Sequence, residues 1–427
     1  MRASLALVVL LLLAAHARAD VVHLHTREVE ALAVHAGGLW VASTGGLERY
    51  ELATLQRTHH LTTSDGLDAP HVRALVIEGD RLVAHTQRAA CVVEGARLAC
   101  RPASLPTLGP QAYGTLYGAR ITARAADERG RRFVATYGAG LFVERAGALV
   151  RLTPVGQVCT HHVQAAVRFR GALFLGGFRD GLCVRRAEAF APVEAPFRLV
   201  NDLRVHRGAL YVAAHEGLFV SHDGVRFTRV GRIDARGVNG LATQGETLWI
   251  GAPGVIYGLP SKGRARVLIA PGGSHAVQAI AADAHGALWL ATEDRGLVRV
   301  DVARPDGAFV EVFDALRGLS TSWLTHVAVA PDGSVYAATL RDGLYRVRGD
   351  REVERVPDAP RWLLRLAIEG DALWVASQEG LVRRDGAGRL ARIEGLPDAR
   401  VHGVLPDGAV RWIATEHGLV EQTVVTP

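Results

Sequence analysis

The 427-residue chain contains a single Lys, Lys262, and a single Met, Met1, and only 6% of its residues are aromatic. With lysine so scarce, the formal net charge of +6 rests on arginines that alternate with acidic residues along the whole length, and no basic block occurs. Binding to phosphate draws on a clustered stripe of positive charge, so no nucleic-acid partner is expected. Long apolar runs are also scarce: the longest, from Leu5 to Ala15, falls well short of the ~20 residues that cross a bilayer as a helix, so no membrane insertion is expected. The sequence has no G-x-S-x-G elbow, no H-E-x-x-H, no phosphate loop, no EF-hand loop and no C-x-x-C. Nothing nominates a nucleophile, and no cofactor or metal is expected.

The beginning of the chain reads as a processing signal. Met1 and Arg2 give a basic start, the apolar run follows, and Ala17-Arg18-Ala19 has the small-x-small pattern of a cleavage site. Residues 1–19 are therefore expected to be a leader and 20–427 the mature region, which is periplasmic or secreted. Asp20, not Cys, follows the cut, so no lipid anchor is expected. Four cysteines, an even count, then suit an oxidising compartment. Cys91 and Cys100 are symmetric about a hairpin turn at Gly95-Ala96, which places them opposite each other, and Cys159 with Cys183 is the remaining pair.

Glycine is abundant, with 47 copies, and much of it is spent on one repeat. An apolar strand carrying an aromatic residue leads into a small-residue turn and then Gly-Leu, as in LWVASTGGLERY at 39–50, LYVAAHEGLFVSHDG at 210–224 and LWVASQEGLVRRDG at 373–386. Ten copies occur. The key position is Trp40, Phe133, Phe174, Tyr211, Trp249, Trp289, Tyr336, Trp374 or Trp412, with Leu82 the exception. The spacing averages about 41 residues, the length of a four-stranded propeller blade. The expected fold is all-β: a single propeller of about ten four-stranded blades, with two rings of five as the alternative. The final blade lacks an outer strand while the mature chain opens with a spare one, Val21 to His25, so the N-terminal strand is expected to complete the last blade and remove a free edge. Longer spacings mark insertions near 101–120 and 302–325, expected to plug the channel or carry a binding loop.

These strings, with the preceding segments DGLDAPHVRAL at 65–75, RGLSTSWLTHVAV at 317–329 and EGLPDARVHGV at 394–404, resemble the two-component regulator propeller repeat. The resemblance covers nearly the whole mature region. It implies a propeller fold and a recognition role, since in that family the propellers are periplasmic sensor modules of hybrid histidine kinases that recognise saccharide-derived or other extracytoplasmic ligands. No kinase region and no following membrane helix occur here, and the repeats are too few for two seven-bladed rings, so sensor-kinase activity is not implied. One copy, GLFVSHDGVRFTRV at 217–230, resembles the Asp-box hairpin of sialidase-like propellers through Ser221, Asp223, Gly224 and Phe227. It is expected to serve as a turn device.

Histidine is the residue that stands out among the polar groups. Eleven fall in loops expected on one face: His59, His60, His71, His85, His161, His162, His215, His275, His326, His402 and His417. Converging imidazoles would suit a transition metal, but histidines in turns are expected to be solvated or capping groups. A second series follows the first apolar residue of each inner strand: Glu30, Arg73, Thr122, Gln164, Asn201, Asn239, Gln278, Thr325 and His402, broken only by Leu364. Such a ring either rims a ligand site or satisfies backbone groups between inner strands. Tyr137, Phe178, Arg179, Arg295, Trp323, Arg341 and Glu416 complete the contact candidates on that face. Trp323 stands out because the repeat does not require it.

The resulting functional expectation is an extracytoplasmic recognition propeller, monomeric, that binds a protein or saccharide-like ligand without turning it over. Ligand contacts are expected at Trp323, Tyr137, Phe178, Arg179, Arg341, Arg295, Asn201, Asn239, His326 and His402. The alternatives are a propeller lyase or hydrolase with a dispersed His/Glu/Asp site on the top face, and an envelope scaffold.

Overall fold

The computed structural model describes residues 21–424 apart from 25, 27, 108–113, 117–118, 153–157, 161, 188, 270–275, 303–308 and 349–351. Residues 1–19, expected to be a leader, and His161 and His275 thus lie outside the described residues. The secondary structure is strand, with two short 3-10 turns, Thr63–Asp65 and Ala315–Arg317, among the described residues. Strands of alternating or continuous apolar residues pair into ten antiparallel sheets, nine of four strands and one of five. Several hairpins turn on a residue followed by Gly with both φ angles positive, as at Ala36-Gly37 and Arg207-Gly208. That geometry matches the twist of the flanking strands.

Seven of the ten sheets close a ring. Their inner strands, Val163–Phe169, Val200–His206, Gly240–Gln244, Val277–Ala282, Leu324–Val329, Leu363–Glu369 and Val401–Asp407, surround one central channel. The last packs against the first. The seventh ring blade is completed by the N-terminal strand Val21–Leu24, antiparallel to Gly418–Thr423, with Val21 opposite Glu421 and Leu24 opposite Gly418.

The other three sheets, 29–61, 74–102 and 115–152, stand outside the ring, with 29–61 between the other two. Trp40, Leu47 and Leu61 pack with Leu82 and Cys91 on one side of it, while Leu39, Val41 and Tyr50 pack with Phe133 and Val143 on the other. The ten sheets and the N-terminal closure agree with the expectation; their partition into seven and three was not foreseen. Its physical origin is the route of the chain, which leaves the ring directly after its closing strand, builds three sheets, and returns at Val163. Closure depends only on the meeting of the first strand with the last blade, so it tolerates sheets looped out between that strand and the first ring blade.

The same latch joins neighbouring sheets in both groups. Eight inner strands shift register at the expected position, seven at a polar residue and one at Leu364, for example between Val200 and Asp202 and between Leu324 and His326. The extra residue of such a bulge points away from the ladder and in three cases bonds the next sheet. Asn201 Nδ2 donates to Val238 O at 2.9 Å, Thr325 Oγ1 to Leu363 O at 3.1 Å and Thr122 Oγ1 to Val29 O at 2.6 Å, and Asn239, just before a strand that pairs without a bulge, makes the same bond from Nδ2 to Val277 O at 3.0 Å. For these four residues the series serves backbone groups between inner strands.

The aromatic repeat position is buried between sheets: Trp249, Trp374, Trp412, Phe133 and Phe174 are at most 2% exposed. Four of the five indoles find an acceptor, as in Trp289 Nε1 to Asp283 at 2.9 Å and Trp374 Nε1 to Glu369 at 2.8 Å, while Trp40 Nε1 is buried without one. Guanidinium groups lie against these rings, Arg411 over Trp374 at 4.0 Å and Arg185 over Trp412 at 4.8 Å. Planar, weakly hydrated guanidinium suits such stacking better than ammonium, a structural use for a chain that has arginine almost to the exclusion of lysine.

In two of the three preceding segments the Gly-Leu is explained by close approach. Gly66 and Gly318 each end a 3-10 turn at φ near 100°, and a Cβ there would sit 2.3 Å from Leu98 O or 2.5 Å from Val353 O in the following sheet. The following Leu67 and Leu319 are buried. Among the described residues, the expected insertions do not enter the channel lining. Ala103 N bonds back to Arg88 O, and Thr115–Leu116 adds a fifth strand to the third sheet outside the ring. Phe309–Phe313 is the outer strand of the fourth ring blade.

The Asp-box-like hairpin is a turn device: Asp223 Oδ1 accepts from Val225 N, Arg226 N and Ser221 Oγ, and these bonds hold its pKa down at about 2. The disulfides join Cys91 to Cys100 and Cys159 to Cys183. The second ties the segment re-entering the ring to the first ring blade.

Candidate functional site

Three groups of side chains meet at the end of the channel where the inner strands begin. The first is the channel floor, a cavity of about 470 Å³. At equivalent positions near their starts, the seven inner strands present Ala165, Asp202, Gly240, Ala279, His326, Arg365 and Gly403. Four of these are small, which leaves room for a long side chain to cross. Arg365 of the sixth blade does so: its Nη2 donates to Asn201 O of the second blade at 3.0 Å, and its Nη1 lies 3.9 Å from Asp202. A Cβ on Gly403 would lie 3.3 Å from the Arg365 Cδ. Asp202 is held in turn by Leu241 N at 2.9 Å, and Arg204 donates to Leu241 O at 2.9 Å.

Burial pulls the Arg365 guanidinium below its usual pKa, against the opposing pull of Asp202, yet it stays charged. Burial, reinforced by Arg365 and Arg204, holds His326 well below the ordinary imidazole range, so it is neutral. The Nε of Arg204 and Nδ1 of His326 are buried with no protein partner. The floor therefore has unspent hydrogen-bonding capacity facing a polar guest.

The second group is the rim. Trp323 and Trp362 precede the inner strands of the fifth and sixth blades and are 43% and 37% exposed. The turn holding Arg341 lies between them: Leu340 N donates to Trp323 O at 3.3 Å, and the Arg341 guanidinium covers the Trp362 ring at 5.4 Å. On the first blade Arg179 covers the exposed Phe178 at 5.6 Å.

The third group sits at the seam between the seventh and first blades. Glu416, in the turn before Gly418–Thr423, takes His162 Nε2 at 2.7 Å on one oxygen and His402 Nε2 at 2.9 Å on the other. Arg400 Nη1 reaches both oxygens at 3.3 Å. These donors outweigh burial and hold the Glu416 carboxyl well below its usual range, while burial lowers His402 despite the carboxylate beside it. A neutral His402 beside an ionised Glu416 is the consistent state. Phe178 lies 6.4 Å from His162, so rim and seam are continuous. The seam also faces the three outer sheets, where the His71 ring approaches His417 at 6.0 Å.

Of the residues singled out in the sequence, His326 is at the floor, Trp323, Arg341, Phe178 and Arg179 are at the rim, and His402 is at the seam. Asn201 and Asn239 are engaged in the latches, although Asn239 also lines the channel. Arg295 occupies the fourth-blade turn equivalent to Arg341, its N bonded to Thr292 Oγ1 at 3.0 Å. Tyr137 is elsewhere: it belongs to the outer sheets, where burial, Glu28 and Glu30 raise its phenol pKa and Arg120 covers its ring at 5.6 Å. Sequence reasoning missed Asp202, Arg204, Arg365, Trp362 and Arg400. Two of these left a signal, since Arg365 follows Leu364, the one break in the polar series, and Trp362 precedes Leu363 as Trp323 precedes Leu324.

No family model matches the chain, and no curated protein matches it. Solved structures do. The extracellular domain of the putative one component system BT4673 from B. thetaiotaomicron is 12% identical, with a TM-score of 0.52 over 94% of this chain and 71% of its own. The extracellular domain of the putative hybrid two component system BT3049 from B. thetaiotaomicron is 14% identical, with a TM-score of 0.53 over 92% of this chain and 56% of its own. Virginiamycin B lyase from Staphylococcus aureus is 15% identical, with a TM-score of 0.52 over 64% of this chain and 97% of its own. At such identities the likeness is one of fold: this chain is a β-propeller resembling both extracellular sensor domains and a lyase.

Proposed function

We propose that the protein is an extracytoplasmic recognition propeller that takes a polar, saccharide-like or acidic ligand at the mouth of the seven-bladed ring and does not turn it over. The observation that carries this reading is the pairing of an aromatic–guanidinium rim, Trp323, Trp362/Arg341 and Phe178/Arg179, with a charged floor whose Arg204 and His326 have donor or acceptor capacity to spare. Exposed aromatic faces stack on sugars or peptides, and a recessed floor fixes orientation. Two disulfides and the leader support a location outside the cytoplasm.

The seam favours a second reading, a lyase or hydrolase, because two histidines and a carboxylate converge there. It is the weaker one: a carboxyl with both oxygens engaged and its pKa depressed is a poor proton donor and a weak base. Thermal unfolding of the mature protein against neutral and acidic oligosaccharides and peptides separates the two. A ligand at a hundred times its Kd adds about 2.7 kcal/mol, and the shift is expected to vanish in a Trp323→Ala/Trp362→Ala double variant. Consumption of the stabilising ligand would establish the enzyme reading, and a flat response across the panel would sink the recognition site at the mouth.

A further inference from the structure

We propose that His162, His402 and Glu416 form a binding site for one divalent transition-metal ion of the zinc class, at the seam where the ring closes. This goes beyond recognition at the mouth and does not depend on it. One donor atom from each of the three residues lies within 4.8 Å of the others, and the imidazoles stand with ring centroids 5.1 Å apart, both aiming Nε2 at the same carboxylate. Bonds of about 2.0–2.2 Å in tetrahedral geometry require donors roughly 3.3 Å apart. The donors already lie within 4.8 Å of one another, so side-chain rotations suffice to bring them to that spacing.

Two imidazoles and one carboxylate suit borderline cations such as zinc, cobalt or nickel, not magnesium or calcium. Three protein ligands leave a fourth position, the arrangement of an open site. Without metal each Nε2 donates its hydrogen to Glu416. With metal each imidazole offers the Nε2 lone pair while Nδ1 carries the hydrogen. Glu416 keeps Arg400 on its second oxygen, and that partner fixes the carboxylate orientation.

The placement makes the ion a staple. His402 lies on the inner strand of the seventh blade and Glu416 in a turn of the same blade, whereas His162 enters the first blade, 254 residues from Glu416 in sequence. A bridge here joins the first and last blades of the ring, and it complements the strand pairing of Val21–Leu24 on the last blade.

The test uses the full mature protein, prepared without a histidine tag and stripped with chelator, then titrated with Co²⁺ and Zn²⁺. The expected result is one ion per chain, visible cobalt bands of a four- or five-coordinate site, and a Tm that rises with free zinc and falls back on chelation. Loss of an outer partner alone costs about 10–100-fold in affinity, so His402→Ala and Glu416→Gln are each expected to lose at least that. His162→Asn provides a second ligand variant should either of these fail to fold. Absence of stoichiometric binding, an octahedral aquo-cobalt spectrum, or equal affinity in wild type and the ligand variants would overturn the site. Running the oligosaccharide and peptide panel on chelated protein keeps its failure distinct from failure of the recognition reading.

Discussion

The seven-sheet ring and the three outer sheets are built from the same repeat and joined by the same latch, yet they solve the edge problem differently. In the ring every sheet has a neighbour on both faces, and the last is completed by Val21–Leu24. In the outer group, among the described residues, only 29–61 packs against a neighbouring sheet on both faces. The third sheet covers its far side with a small cluster of its own, Ile121, Val134, Ala139 and Phe142 backed by Leu116 and Leu149, and on the second sheet Ile77 is 47% exposed. A repeat array gains stability from each interface between neighbours, so the difference teaches that closure, not the repeat itself, distinguishes the two regions.

The largest effect that can break this comparison comes from matched truncations of the key aromatic residue. Trp412 at the ring seam is 1% exposed and Phe133 in the outer group is 0% exposed, and each change to Ala costs about 3–5 kcal/mol. The expected difference is in reach. Hydrogen exchange should accelerate throughout residues 163–423 in Trp412→Ala, whereas Phe133→Ala should loosen 29–152 and leave the ring protected. Equal spreading of both effects over the whole chain would show one cooperative body and erase the distinction.

A smaller effect sharpens the comparison at the level of ion pairs. Arg365 spans the channel to Asn201 and Asp202, while Arg131 stitches adjacent outer sheets by bonding Leu52 O and Asp127. Arg365→Met keeps the aliphatic bulk over Gly403 but leaves a carbonyl and a carboxylate underserved, at a cost of about 1–3 kcal/mol. Arg131→Met, on a half-buried pair, should cost less and act only on the outer group. Urea unfolding of the two variants, followed by segment-resolved exchange, reads both; an Arg365→Met protein as stable as wild type would show that the strut is not a net contributor.

How much of this was legible depends on which contacts repeat. Trp40 and its equivalents, the Gly-Leu turns and the symmetric Cys91/Cys100 pair announce blades because each blade repeats one local pattern. The closing strand was legible for the same reason, as one strand missing from one end and spare at the other. The seven-to-three partition was not, because the latch donor Thr122 and the latch donor Asn201 look alike in sequence while one serves the outer group and the other the ring. The site followed the same rule. His402 and His326 were visible among the histidines expected on one face, and His402 also in the polar series, but Arg365 acts across the channel on a sheet four blades away, and Glu416 acts on a histidine from the opposite end of the ring. No periodicity reports such contacts, because they are made once.

The smallest expected effect is the dependence on pH, and it too separates the regions. His326 in the ring and His85 in the second outer sheet both have pKa values below the ordinary 6.5, in each case chiefly through burial. His326 is additionally faced by Arg365 and Arg204, with Asp202 across the floor bonded to Leu241 N and beside Arg365; His85 is pushed down by Arg101 and partly restored by Glu78. A histidine with a lowered folded pKa takes up its proton first in the unfolded chain, so both groups cost stability as pH falls through 6.5, until the folded pKa is reached. The shift at His326 is the larger, and its window therefore extends further into acid. The ring should accordingly lose more stability than the outer sheets between neutral pH and mild acid, and His326→Gln, which keeps a polar group at the floor without a titrating one, should flatten the ring's profile alone. A pH profile unchanged by that substitution would mean that the floor stays hydrated enough for His326 to titrate as it does in the unfolded chain, and the channel would then be an open pore, not the recessed floor on which the recognition reading rests.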